Sequence, residues 1–255
     1  DEAMRVLDWC QQDQFWKSNI LSIPKFREKA EVAYEWNDLP QAERIAREVV
    51  AFTQQFPDER THVSATLLLA RILLAQGSIP EAQRLVEALL ARPELARAPL
   101  IRRKASAYLV HLQLLLGDVA ALRQWVTRPE PAAEALPLLV QGEEALLAAR
   151  AWMALGEHQE SQQILDEWLE TAQRLELPRM MVEILLLQCL NDPGNKRSEE
   201  ATALIKEALP IAYREGYRRL FIDYGQPVLS LLRKVITELD EEHLAQRAFL
   251  DEPLG

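Results

Sequence analysis

Apolar positions along the chain recur with the period of an α-helix. In the segment from Pro80 to Pro93, four apolar side chains share one helix face: Leu85, Val86, Leu89 and Leu90. The segment from Ile164 to Ala172 follows the same period. Strong helix formers dominate the composition and β-branched residues are sparse. The pattern predicts an all-α fold.

Turn-forming residues interrupt the helical segments at a nearly constant interval. Five such markers are spaced by 40, 40, 39 and 38 residues: Asn37, Gly77, Gly117, Gly156 and Gly194. Small residues stand seven positions before and five after the first two markers, where paired helices would approach closely: Ala30 with Ala42, and Ala70 with Ala82. The fourth unit fits as well, with Ala149 and Ser161, whereas the third and fifth fit loosely.

This small–turn–small pattern resembles the tetratricopeptide repeat (TPR) with a longer period. It predicts a single TPR-like superhelical domain over residues 1–255, an α-solenoid in which stacked helix pairs bury a continuous core. The predicted repeats are 20–57, 61–93, 100–128, 140–176 and 179–215, and capping helices follow at 217–250. Pro210 lies inside the last repeat helix and is expected to kink or split it.

Composition indicates which classes of partner the chain could bind and in which cellular compartment it works. A net charge of -10 argues against direct binding of nucleic acid, because phosphate contacts need a basic surface. The basic runs Arg102–Lys104 and Arg218–Arg219, like the acidic pair Glu143–Glu144, are expected to be solvated helix faces. No apolar tract is long enough to span a bilayer, and two distant cysteines predict core thiols in a reducing cytoplasm. We therefore expect a cytoplasmic chain with no membrane contact.

Chemistry-bearing motifs are sparse. The sequence contains neither a phosphate loop nor G-x-G-x-x-G, so no cofactor is expected in this chain. The four histidines lack metal-ligand spacing, and His62 is expected to cap a helix or face water. No residues stand in a catalytic arrangement, and the sequence favours a protein that is not an enzyme.

Polar residues recur at one position of the predicted first helices, six residues before each marker: Glu31, Arg71, His111, Arg150 and Gln188. In stacked helix pairs the first helix lines the concave surface, and Arg27 and Tyr34 extend this stripe. The candidate ligand-binding residues are Arg27, Glu31, Tyr34, Arg71, His111 and Arg150. The alternative is a solvated inner face held by structural ion pairs.

Several longer motifs resemble one family of regulators. They are LLARILLAQG from Leu68, LAARAWMALG from Leu147, VEILLLQ from Val182 and GYRRLFIDYGQPVLSLL from Gly216. These segments are similar to the C-terminal repeat region of large MalT-type LuxR-family transcriptional regulators. The resemblance implies a signal-sensing region whose parent protein carries an ATP-binding ATPase domain before the repeats. A helix-turn-helix domain that binds DNA would follow them, and both domains are expected outside this chain.

Two functions from different classes follow from this resemblance and from the predicted groove. The first is an effector-binding sensor domain that takes a small molecule or a regulatory protein in the concave groove. The alternative is a TPR-like protein-interaction scaffold with no small-molecule ligand. Self-association through the open ends of the solenoid is a further expectation.

Overall fold

The computed structural model describes residues 23–54, 59–127, 137–191 and 198–238, and every regular element in these ranges is helical. The helices are α1 (Ile23–Glu35), α2 (Leu39–Thr53), α3 (Glu59–Ala75), α4 (Ile79–Leu90), α5 (Pro99–Leu115), α6 (Val119–Val126), α7 (Leu138–Ala154), α8 (His158–Arg174), α9 (Pro178–Leu190), α10 (Ser198–Glu215), α11 (Arg218–Asp223) and α12 (Gln226–Glu238). A short 3₁₀ helix, Pro93–Arg97, lies between α4 and α5.

The described residues divide into two compact units. The first comprises the residues up to 34 together with 38–101, and the second comprises 35–37 together with the residues from 102 onward. A helix pair lies at each predicted repeat, although α3, α5, α7 and α9 begin one or two residues before the predicted starts. The grouping of all repeats into one superhelical domain stays a prediction. Among the described helices, none is long and apolar enough to cross a membrane.

The turn markers end helices in the left-handed conformation. The φ angles are 63° at Asn37, 82° at Gly77, 71° at Gly117 and 83° at Gly156. In each turn the next residue donates its N–H to a carbonyl five residues back, as Ser78 does to Leu73 at 2.8 Å. This is the Schellman arrangement, which satisfies the last carbonyls of a helix and favours glycine or asparagine. Gly194 lies outside the described residues.

The small residues beside the turns are buried at the helix crossings. Six of them are at most 1% exposed: Ala30, Ala42, Ala70, Ala82, Ala149 and Ser161. The third pair instead places the larger Val110 and Leu122 there, and its second helix, α6, buries only Leu122. The third repeat therefore buries fewer residues than the other described repeats, whereas the fifth, which also fits the pattern loosely, has an extensive core.

The segment after Gly216 caps the second unit. Gly216 has a φ of 78°, and Tyr217 donates its N–H to the Ala212 carbonyl at 2.9 Å. Leu220 and Phe221 of α11 are buried in the cluster that also contains apolar residues of α9, α10 and α12. Burial of Leu220 and Phe221 supplies the stabilisation that a six-residue helix lacks on its own.

Two expectations about single residues need correction, and the expected core thiol is confirmed for Cys189. Helix α10 runs unbroken through Pro210, whose side chain is exposed, so the helix is not split. His62 is buried rather than a cap or a solvated residue, and its Nδ1 lies 3.0 Å from Thr53 Oγ1. Cys189 is buried, and burial raises the pKa of its thiol to about 11, whereas Cys10 lies outside the described residues.

Candidate functional site

The predicted inner stripe separates into two groups of residues. Arg27, Glu31, Tyr34 and Arg71 belong to the first unit, whereas His111 and Arg150 belong to the second. The residues six positions before the markers are all partly exposed, as expected for the edge of a helix that faces a groove. Each group is described within its own unit.

In the first unit, Tyr34 supports Arg71 from a neighbouring first helix. The guanidinium carbon of Arg71 lies 4.2 Å from the centroid of the Tyr34 ring, which is the geometry of a cation–π contact. The Tyr34 side chain is only 1% exposed, so its ring holds the arginine and is not itself an accessible contact surface. The buried ring thus fixes the plane of the partly exposed guanidinium.

Arg27 and Glu31 form an ion pair one turn apart on α1. Arg27 Nε lies 3.2 Å from Glu31 Oε1, and the two side chains are 31% and 46% exposed. An exposed pair at this spacing contributes little to stability, about 0.3–0.5 kcal/mol. Both side chains lie near the surface, as the prediction of a polar lining requires.

His111 packs against an aromatic ring of its own helix. The rings of Tyr108 and His111 on α5 lie 5.7 Å apart between centroids at an angle of 61°. This edge-to-face contact fixes the imidazole ring, which remains partly exposed. His111 therefore presents a positioned polar ring on the first helix of the third repeat.

Arg150 on α7 contacts two residues from other elements of the second unit. Its Nη2 donates hydrogen bonds to the carboxylate of Glu183 on α9 and to the hydroxyl of Tyr224, which follows α11. Burial raises the pKa of Tyr224, so the phenol stays neutral and can donate as well as accept. This arginine is thus part of a structural ion pair, the alternative that the sequence left open for the inner face.

A second charged pair on the first helices escaped the sequence analysis. Arg103 Nε and Nη2 donate to the two carboxylate oxygens of Glu144 at 2.6 and 2.5 Å, and Glu144 is 8% exposed. Next to it, Lys104 Nζ lies 3.4 Å from Glu143 Oε2. The expectation that all four were solvated is wrong for Arg103 and Glu144. Their separation of about one repeat was the available signal, because equivalent positions of adjacent repeats are neighbours.

Arg219 was also expected on a solvated face, and it is buried. Its Nε donates to Asp223 Oδ1 at 2.7 Å, and its Nη1 donates to Asn37 Oδ1 at 2.6 Å, both within the second unit. A buried guanidinium is tolerated when its donors are satisfied in this way. Arg219 therefore has a structural role in the GYRRLFIDYG segment.

Elsewhere on the surface of the described residues, we find no second candidate site of the same quality. An open concavity on α8 is lined by residues of that helix alone: Gln159, Gln162, Gln163, Asp166, Glu167 and Glu170. A surface with walls from one element does not enclose a ligand. In the described ranges, no group of histidine, cysteine and acidic side chains could hold a metal ion.

Comparison with known proteins identifies the repeat array. The family described as the MalT-like TPR region matches residues 6–238. The chain belongs to this family. The MalT-like region is 29% identical over 233 residues to the HTH-type transcriptional regulator MalT of Serratia proteamaculans, covering 88% of this chain and 25% of that protein. The regulator of the same name from Yersinia enterocolitica is 28% identical over 232 residues, with the same coverage.

The MalT-like region therefore spans about a quarter of the length of these relatives. Among solved structures, a kinesin light chain of nearly identical TPR-like repeats from Podosopora anserina matches with a TM-score of 0.42 and 19% identity. That match covers 76% of this chain and 95% of the other. The resemblance drawn from the four motifs to MalT-type repeat regions is confirmed, and so is the helical-repeat fold.

Proposed function

We propose that this MalT-like region is the sensor domain of a transcriptional regulator and that its inner first-helix surface binds a small effector or a regulatory protein. The observation that carries the proposal is the repeated placement of partly exposed polar side chains at one position of successive first helices, including Glu31, Arg71, His111 and Arg150. Two of these are positioned by rings, Arg71 by Tyr34 and His111 by Tyr108. Preorganised polar groups on a repeat surface suit recognition of a polar partner.

We propose that different domains of the parent regulator carry out sensing, ATP binding and DNA binding. ATP binding and DNA binding would belong to other domains, in agreement with the net charge of -10 here and with the regulators that the region resembles. The region itself would work in the cytoplasm. Binding would act as a signal only if the effector favoured one arrangement of the regulator over another.

Titration of arginine variants tests the proposed surface. A panel of mono-, di- and trisaccharides and dicarboxylic acids is screened by thermal shift, and each hit is then titrated calorimetrically. Because a hydrogen bond to a charged group contributes ~1.5–3 kcal/mol, less the worth of any protein contact that it replaces, Arg71→Ala and Arg150→Ala should each weaken binding by up to roughly tenfold. Far-ultraviolet circular dichroism checks that helicity is retained.

Arg44→Ala is the matched control for this titration. Arg44 is 63% exposed and pairs with Glu48 one turn away on α2, so its loss should leave both affinity and helicity unchanged. Unchanged affinity in both Arg71→Ala and Arg150→Ala would remove the assignment of these residues.

One observation favours the alternative of a protein-interaction scaffold. The third turn exposes three apolar side chains, Leu115, Leu116 and Val119, each at least half exposed. Apolar side chains at a turn suit contact with a protein, including a second copy of this chain, more than contact with a small polar effector. Sedimentation velocity with the wild type and Leu116→Glu would show whether self-association depends on this turn.

A further inference from the structure

Arg150 joins the inner stripe to the capping segment through a single guanidinium. Besides the hydrogen bonds to Glu183 and Tyr224, its guanidinium carbon lies 5.2 Å from the centroid of the Tyr224 ring. Tyr224 Oη lies 3.4 Å from Glu183 Oε1 and completes a three-residue cluster. Helices α7 and α9 and the end of α11 therefore meet at one side chain.

The surroundings of the cluster make these hydrogen bonds sensitive to displacement. The side chains of Arg150 and Glu183 are 21% and 19% exposed, so water competes only weakly for them. The Tyr224 ring packs against two apolar clusters, one around α9, α10 and α12 and the other around α7, α8 and α9. A shift of Tyr224 would therefore disturb the packing of the capping helices as well as that of the repeats.

We propose that Arg150, Glu183 and Tyr224 form a latch that fixes the capping helices α11 and α12 on α7 and α9, and that a group bound to Arg150 at the inner face loosens them. The guanidinium is a rigid planar fork, so turning it toward a bound anion or hydroxyl misaligns its bonds to Glu183 and Tyr224. Glu183 and Tyr224 are thus positioning residues that act through Arg150. The first half of the inference needs no ligand, and the second half rests on the proposed function.

Hydrogen exchange read by mass spectrometry on the unliganded 255-residue chain tests the latch. Tyr224→Phe removes one hydroxyl and keeps the ring, and should speed exchange of the amides in 218–238 about threefold. Arg150→Met removes the fork at similar volume and should speed it roughly tenfold. The double variant should exchange more slowly than the product of the two single effects predicts, because Arg150 and Tyr224 share one hydrogen bond that each single variant already removes.

Two references separate a latch from general destabilisation. Exchange in α3, which belongs to the first unit, should stay at the wild-type rate in every variant. Arg103→Met breaks a comparable pair between α5 and α7, and should leave exchange in 218–238 unchanged.

Wild-type exchange in 218–238 for both latch variants would overturn the inference, and so would multiplicative effects in the double variant. If Arg150→Met does not fold, Tyr224→Phe alone decides, since wild-type exchange in that variant contradicts the latch. Failure of the exchange test leaves the binding proposal intact. Conversely, a lack of binding in the titrations leaves the unliganded exchange result intact and removes only the coupling to a ligand.

Discussion

Glu176 occupies a backbone conformation that glutamate disfavours, and replacing it should stabilise the protein. Its φ of 52° places it in the left-handed region at the turn that follows α8. The next residue, Leu177, donates its N–H to the Ala172 carbonyl at 2.9 Å, as in the glycine-marked turns. The backbone therefore sets the geometry of this turn. The side chain of Glu176 is exposed.

The expected gain can be worked from the two conformational terms. The left-handed conformation costs a residue with a Cβ ~1–2 kcal/mol, and glycine removes this steric penalty. Glycine also lowers the free energy of unfolding by ~0.4–1 kcal/mol, because it makes the unfolded chain more flexible. Taking the middle of each range, Glu176→Gly should thus raise the free energy of unfolding by about 0.8 kcal/mol. In a chain of this size, that corresponds to an increase in the melting temperature of roughly 1–4 °C.

Two matched variants isolate the backbone term in urea and thermal unfolding. Glu176→Ala keeps a Cβ at the same φ and should change stability little. Gly156→Ala makes the reverse change at a φ of 83°, where an added Cβ would meet nothing within 4 Å, so it should cost ~1 kcal/mol from strain alone. Equal stability of Glu176→Gly and Glu176→Ala would refute the reasoning, because the Cβ penalty would then be absent at this turn.

Two further predictions concern packing and pH. A Cβ at Gly142 would overlap the end of the Met180 side chain and lie 2.9 Å from Trp168 Cζ3, an atom of a rigid ring, so Gly142→Ala should lower the urea midpoint. The middle of the overpacking range, ~2 kcal/mol, is larger than the helix-propensity gain of ~1 kcal/mol. Burial chiefly lowers the pKa of His62, so the neutral ring is the folded form and stability should fall as pH drops below ~6.5. Comparing urea midpoints at pH 7.5 and 5 should show a weaker pH dependence for His62→Gln, and an unchanged dependence would contradict this role.

The turns could be predicted because their requirement is local. A left-handed residue at a helix end favours glycine or asparagine, and that preference made Asn37, Gly77, Gly117 and Gly156 visible in the sequence. Glu176 takes the same conformation, but glutamate gives no such signal, so its turn was not found by this route. The spacing of the helix pairs could therefore be predicted wherever a glycine or asparagine occupies the left-handed position of the turn.

The accessibility of the stripe could not be predicted in the same way. Position relative to the marker placed Arg71 and Arg150 on the inner edge of their helices, but it could not show that Tyr34 would be buried beneath a guanidinium. The partner of each charge depends on the rotation and separation of adjacent helix pairs, which a single repeat does not encode. Arg103 and Arg219 therefore looked like solvated charges and proved to be hydrogen-bonded inside the second unit.

The two arginines of the candidate surface should contribute differently to binding. Arg71 is held by a ring that engages the face of its guanidinium, so a polar partner can approach the edge without displacing that contact. Arg150 donates to Glu183 and Tyr224, so a partner gains only the difference between its own hydrogen bonds and those it replaces. Any structural response to binding should therefore depend more on Arg150, whose hydrogen bonds reach Glu183 on α9 and Tyr224 after α11, than on Arg71.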